Sequence, residues 1–338
     1  MSGFAWAEHL ALRDLSHLPR MAGYYNDNFC VTQGNRDYLL RIPIPNSDVM
    51  DLRQICEVPI LRYLEDQGFE APRLVHQSPC ETFSIHGWIE GQQLNELYPG
   101  ETSLPDWIPL EIARQMALLH RLDPTPFAQS CPDLPASPDT QAFFLAHYAF
   151  DCAAHARLLP EMHPIYVALG VPEKPFDGLD KLQNTITARP FCLCHSDIHR
   201  KNIILREQEN TLVLLDWELV LVGDPIYDIA VHFHKMRYEP DQEAQFIEVY
   251  VSNSALALEP ATIRAEVNLY LRLERVKSAV IDAYRVRGDL RAGKHDHNRA
   301  WQDVTRYAGK LRKAQEIWYA PSAVTTMPTH SLHDILVS

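Results

Sequence analysis

Eight consecutive residues, His195-Ser-Asp-Ile-His-Arg-Lys-Asn202, concentrate side chains suited to polar chemistry. Their skeleton is H-x-D, with an Asn at the fifth place after the Asp. Phosphoryl transfer needs a carboxylate to orient an attacking hydroxyl, and oxygen donors to hold Mg²⁺ on the phosphates. Asp197 suits the first task. Asn202 and Asp216 suit the second if residue 216 returns beside residue 202. The intervening sequence provides for that return: a strand from Ile203 to Leu205, a turn at Glu207 to Asn210, and a strand from Leu212 to Leu215. An isolated H-x-D…N triplet arises by chance. Here three features are linked: the loop, the hairpin ending in Asp216-Trp-Glu218, and Gly223-Asp-Pro-Ile-Tyr-Asp228 just beyond. Cys192 and Cys194 invite a metal reading. No second Cys or His pair has zinc-finger spacing, so alternate core positions of a strand fit them better.

The elements that must position these residues follow from periodicity. Phe29 to Gln33 and Tyr38 to Ile42 read as strands around a Gly34–Asp37 turn, stopped by Pro43 and Pro45. Ile55, Val58, Leu61 and Leu64 have helical spacing, which predicts a helix over Asp51–Gln67 ended by Gly68. Arg73–Gln77 and Thr82–Ile89 predict further strands, and Gly87-Trp-Ile-Glu-Gly91 a hinge. From Pro109 the pattern is helical, with a proline-rich loop at 124–138, helix from Thr140 to His163, and helices from Pro225 to Tyr319 broken near Pro240, Pro260 and Gly288. A β-rich lobe, a hinge and a helical lobe give an α+β class. The expected division is 1–90 for the nucleotide lobe with its hinge at 86–91, 91–320 for the catalytic and substrate lobe, and a peripheral tail at 321–338.

Bulk properties exclude several classes. The net charge of −13 argues against a nucleic-acid-binding face, which needs clustered Lys and Arg. No apolar run is long enough to span a membrane, and the N-terminus lacks the basic start and apolar core of a secretory signal. Seven cysteines, an odd number, fit a reduced cytoplasmic protein. The surplus carboxylates could attract a cationic acceptor, or serve solubility alone.

The motif blocks resemble those of the aminoglycoside phosphotransferase and choline kinase superfamily, a protein-kinase-like fold. The resemblance rests on the 195–202 block, Leu215-Asp-Trp-Glu218 and Gly223-Asp-Pro225…Asp228. It extends to Ala22-Gly-Tyr-Tyr-Asn-Asp-Asn-Phe29 as nucleotide loop, Leu40-Arg-Ile-Pro43 as third strand, and Trp88-Ile-Glu-Gly91 as linker end, all in the family's order. It implies Asp197 as catalytic aspartate, Asn202 and Asp216 as Mg²⁺ ligands, and Arg41 on the phosphates, paired with Glu57. It places Gly23 and Asn26 in the nucleotide loop, the base against backbone near His86 to Ile89, and Asp228 as a brace of the catalytic loop. His199 either contacts the γ-phosphate or fills the loop, and His195 holds the loop by hydrogen bonds. Two departures stand out: Ala22 where Gly is usual, and Ser196 where Gly is usual but small residues are tolerated.

The residues and the resemblance together imply transfer from ATP or GTP to a hydroxyl of a small molecule, with a cationic one among the candidates. An antibiotic comes first, as for a resistance kinase. A metabolite such as choline, thiamine, an amino alcohol or a sugar is the alternative, and a nucleotide-binding pseudokinase ranks below both. Glu218, Asp224, Glu239, Asp241 and Glu274 are candidates to meet a cation, each weighed against a solvated surface charge. Trp88 and Trp217 read as core. The oligomeric state is left open.

Overall fold

The computed structural model describes residues 6, 8, 15, 18–21, 23, 25–44, 53–100, 102–135, 137–324 and 327–338. Ala22, Pro45 and the expected helix start at Asp51 lie outside them. The chain divides into two compact units. The first takes residues 1–132, 192–222 and 235–255; the second takes 133–191, 223–234 and 256–338.

The first unit opens with a five-stranded antiparallel sheet, spatial order β1-β2-β3-β5-β4. Its strands are β1 (Arg20–Met21), β2 (Asn26–Gln33), β3 (Arg36–Pro43), β4 (Leu74–Gln77) and β5 (Ser84–Gly87). Gly34, with φ 64°, makes the tight β2–β3 turn, a conformation costly for other residues. Side chains alternate across a strand, and the register sorts them. Phe29, Leu40 and Ile85 share one face with Val31, Tyr38 and Ile42. That face is apolar and packs with Trp6, Leu15 and Leu18. The opposite face carries Asn26, Asn28, Arg41, Ser84 and His86.

Helix α1 (Glu57–Asp66) buries Ile60, Leu61 and Leu64. Described residues 53–56, expected as helix, are not helical. Pro59 explains the late start: without an N–H it is tolerated only in a helix's first turn. Strands β6 (Gln92–Gln93), β8 (Ile203–Arg206) and β9 (Thr211–Leu214) form a second sheet, and β7 (Cys192–Cys194) pairs β10 (Leu221–Gly223). Short helix α2 (Leu94–Leu97) follows β6, and α3 (Trp107–Leu119) packs with α6 (Pro240–Asn253). The Gln115 amide donates to the Leu212 carbonyl at 2.8 Å, tying α3 to the hairpin.

The second unit is helical. Asp139 caps α4 (Thr140–Leu169) by accepting from the Ala142 N–H at 2.9 Å, and left-handed Gly170 ends it. The helix therefore runs beyond His163, through Pro160 and Pro164. Helix α5 (Pro225–Met236) ends in two residues of the first unit. Helix α7 (Pro260–Arg291) passes Gly288 unbroken; a single interior glycine costs only about 1 kcal/mol. The break comes at Gly293, with φ 60°, before Asp296 caps α8 (His297–Trp318). The stretch from Pro321, expected as a peripheral tail, carries α9 (Thr329–Val337) with Leu332 and Leu336 buried. Arg287 donates to the Leu336 carbonyl at 3.0 Å. The architecture is α+β, an N-terminal antiparallel sheet followed by a mostly helical region, as the order of patterns predicts. Among the described residues no helix is long and apolar enough to cross a membrane.

His86 offers a test of the sheet's polar face. Burial foremost, and Arg41 second, push its imidazole down to about 3. The unfolded chain therefore takes up a proton below about pH 6.5 that the folded chain refuses until about pH 3. Stability contributed by neutral His86 is present above pH 6.5 and falls with pH through that window. Urea unfolding of His86→Leu across pH 7 to 4 should show a shallower fall than wild type. Parallel falls would contradict the assignment.

Candidate active site

The H-x-D loop and the β8–β9 hairpin form one unit of local structure. After β7, the backbone turns at Ser196, φ 62°, and closes with a short 3₁₀ turn, Arg200–Asn202. The β8–β9 register pairs Ile203 with Leu214 and Arg206 with Thr211. The Leu215 N–H donates to the Asn202 carbonyl at 2.8 Å, so Asp216 emerges beside Asn202 as the sequence predicts. His195 locks the two strands of the site together. Its Nε2 donates to the Leu215 carbonyl at 3.0 Å, leaving Nδ1 to accept from the Asp197 N–H at 3.3 Å. It packs on Trp217, ring centroids 4.5 Å apart. Trp217 is fully buried core.

Arg41, on the polar face of the sheet, is the buried cation of the site. It reaches Glu57 of α1 at 3.0 Å and Asp216 at 3.1 Å, and it also contacts Glu218. Glu57 Oε1 in turn accepts from the Trp217 N–H at 3.2 Å. Burial pushes the Glu57 carboxyl up, and Arg41 pulls it back. Asn26 donates its side-chain amide to Glu218. Glu218 is therefore no surface charge awaiting a cation, as its place in the sequence suggested. It is a buried partner of Arg41, because the turn after Asp216 directs it inward.

Asp197 has both oxygens engaged. Oδ2 accepts from the Asn202 side-chain amide at 2.8 Å, with His199 Nε2 at 3.6 Å. Oδ1 contacts the ammonium of Lys235, in the last turn of α5. Burial alone would push Asp197 up. Lys235 first, then His199, more than reverse this and hold it well below the ordinary carboxylate range.

The structure thus brings together Arg41, Glu57, Asn26, Asp197, His199, Asn202 and Asp216. Gly23 sits where a Cβ would overlap the Asn26 carbonyl and the Asn28 amide, so its lack of a side chain is required. Ile89 lies in the irregular stretch after β5, half-buried. At Gly91, φ 130°, a Cβ would lie 2.5 Å from the Leu205 carbonyl, which lets β6 meet β8. Asp224 pairs with Arg189 at 3.0 Å and Tyr270 at 2.7 Å, and Glu274 pairs with Lys277. Both are buried within the second unit, while Glu239 and Asp241 are exposed. Asp228 is buried on α5. His120 joins Cys192 and Cys194 to bring three donor atoms within 4.8 Å. His120 Nδ1 also meets the Tyr250 hydroxyl at 2.7 Å, in the packed junction of α3 and α6.

Lys235 is the residue that sequence reasoning missed. It belongs to no motif, 38 positions after Asp197. Its one signal is that it is the sole Lys or Arg in α5, a mostly apolar helix whose other polar residues are Asp228, His232 and His234.

The donor set suits a hard divalent ion. The Asn202 amide N–H is spent on Asp197, which leaves its carbonyl oxygen to ligate. Asp216 is 39% exposed at its side chain. Arg41 and Lys235 face the four carboxylates of Glu57, Asp197, Asp216 and Glu218. With all four ionised, the negative excess matches one divalent cation. On the polar face of the sheet, buried Arg41 Nε has no hydrogen-bond partner among the described residues.

This arrangement has relatives. The profile of the phosphotransferase enzyme family matches residues 17–270. The chain belongs to that family. It is a small-molecule phosphotransferase. No curated protein sequence matches it. Among solved structures, it resembles an ethanolamine kinase from Plasmodium vivax, with 14% identity and a TM-score of 0.64 over 90% of this chain and 83% of the other. A macrolide 2′-phosphotransferase type I matches at 15% identity and a TM-score of 0.57, over 91% and 98%. The ADP-bound aminoglycoside phosphotransferase APH(2″)-Ib matches at 16% identity and a TM-score of 0.56, over 93% and 99%. At these identities the likeness shows the fold.

Ser196 in this phosphotransferase holds a left-handed backbone conformation that glycine adopts without strain. Its φ of 62° places Cβ against the following carbonyl, at a cost of about 1–2 kcal/mol. Glycine removes that clash but gives back about 0.5–1 kcal/mol of backbone entropy. Ser196→Gly should therefore raise the unfolding free energy by about 0.5–1 kcal/mol. Chemical denaturation checks this, and a destabilised variant would mean that the Ser196 side chain supports the loop.

Proposed function

We propose that this phosphotransferase is a Mg²⁺-dependent kinase that moves the γ-phosphate of ATP or GTP to a hydroxyl of a small molecule. The observation that carries this is the convergence of Asp197, Asn202 and Asp216 on one loop and hairpin, with Arg41 anchored beside them. Asp197 orients the acceptor hydroxyl and takes its proton. The hydroxyl oxygen forms the new bond to phosphorus, and the bond from phosphorus to the β–γ bridging oxygen breaks, its electron pair leaving with the diphosphate. Arg41, held by Glu57, binds phosphate oxygens, while Gly23 and Asn26 shape the loop over them and backbone near Ile89 receives the base. His199 stands beside Asp197, within reach of the transferring group. Asn202 and Asp216 hold Mg²⁺, which screens the phosphate charge when bound. The chain's contribution is positioning and charge stabilisation.

An antibiotic acceptor draws support from the fold shared with a macrolide and an aminoglycoside phosphotransferase. A metabolite acceptor draws equal support from the ethanolamine kinase. Seven free thiols support a cytoplasmic place.

A coupled nucleotide-consumption assay with Mg²⁺ tests the reading, run with ATP and GTP against antibiotics, amino alcohols, thiamine, sugars and hydroxy acids. Asp197→Ala should lower kcat by about 10²–10⁴-fold with its circular dichroism unchanged. Asp216→Ala should abolish Mg²⁺-dependent nucleotide binding by calorimetry. Full turnover in the first variant, or wild-type affinity in the second, would sink the assigned roles.

A further inference from the structure

The ammonium of Lys235 rests on Asp197 Oδ1, the oxygen left after Asn202 and His199 take Oδ2. The pair is not sealed in the core: the Lys235 side chain is 30% exposed and that of Asp197 15%. Lys235 projects from the last turn of α5, where the helix's carbonyl end favours a cation. Any hydroxyl that Asp197 orients must approach this carboxylate, and so must sit beside the ammonium. An acceptor cation placed there would meet a like charge, in a site where partial burial weakens solvent screening.

Of the five carboxylates read as candidates to meet a cation, Glu239 and Asp241 are exposed and the other three have partners. Glu218 holds Arg41 and Asn26, Asp224 holds Arg189 and Tyr270, and Glu274 holds Lys277. What an arriving acceptor meets at Asp197 is a positive charge whose one carboxylate partner among the described residues is Asp197 itself. A second carboxylate can take that partner's place charge for charge, leaving Oδ1 open to the hydroxyl.

We propose that Lys235 determines the acceptor class: the molecule phosphorylated is a hydroxylated carboxylic acid, whose carboxylate draws the Lys235 ammonium from Asp197 as its hydroxyl docks. This rests on Asp197 being the group that orients the hydroxyl. Lys235 discriminates by a point charge rather than a bidentate fork, so an arginine in its place retains the charge but not the reach.

The test uses the full chain with Mg²⁺ and ATP or GTP. Slow nucleotide hydrolysis, with water as acceptor, is measured first in wild type and Asp197→Ala. Hydrolysis that is absent, or indifferent to Asp197, defeats the phosphotransferase roles themselves and is read separately from the lysine. Glycerate, 3-hydroxybutyrate, 4-hydroxybutyrate, homoserine and gluconate are then each compared with the primary amide of the same skeleton, with ethanolamine and choline as cations. Turnover above hydrolysis is expected with acids, and kcat/KM should fall on the order of 10- to 100-fold in the matched amide. Lys235→Met should erase most of that acid-to-amide ratio, chiefly through KM, and Lys235→Arg should restore part of it. A merely structural lysine would lower acid and amide alike and leave the ratio intact. That result would overturn the proposal, as would equal use of an amide or a cation, or no hydroxy acid raising turnover above hydrolysis.

Discussion

One guanidinium, that of Arg41, conditions the rest of the site. It is nearly inaccessible, and it meets carboxylates from three places in the sequence: Glu57 on α1, Asp216 at the hairpin end and Glu218 just after it. Taking these charges out of water costs several kcal/mol per ion unless each finds a partner. The geometry therefore holds together or fails together. Glu57 reaches both Arg41 and the Trp217 N–H, so the sheet, the first helix and the Asp216 segment are fixed by one carboxylate. Three carboxylates around one guanidinium leave the cluster short of positive charge before any ligand arrives.

The parts legible in the sequence were those with local signatures. The H-x-D loop is contiguous, and the hairpin shows its alternation and its turn. Arg41 and Glu57 could be paired because a strand and the next helix carried them in the family's order. Glu218 was misread for a reason that local sequence does not encode: burial depends on the turn that follows Asp216, whose φ of 64° redirects the chain. The starts and ends of helices shifted where a single residue decides them, as with Pro59 at the start of α1 or Gly293 after α7. Gly288 looked like a breaker and was not one, because packing along a long helix outweighs one weak position.

Lys235 shows a different limit. Its importance is a fact of tertiary proximity, carried by a helix that begins in the other unit and whose sequence announces only a buried stripe. A lone cation in such a stripe is weak information by itself. It becomes informative once the carboxylate at its tip is known to be Asp197, whose acidity it largely sets. The same proximity ties the chemical poise of the site to a residue outside every motif, which is where relatives with one reaction can diverge in what they accept.

The alternation in β2 and β3 has an evolutionary consequence. Asn28 and Arg41 face the polar side of the sheet, while their immediate neighbours Phe29 and Leu40 face the apolar core. A single-residue insertion or deletion in either strand would exchange the two sets at once, sending Arg41 into hydrocarbon and Leu40 toward the carboxylates that Arg41 now meets. Substitution can proceed residue by residue on either face, but length cannot drift. Lineages of this fold are thus free to lose nearly all recognisable identity in these strands while their register stays frozen, and the place to look for gained or lost residues is the loops between them.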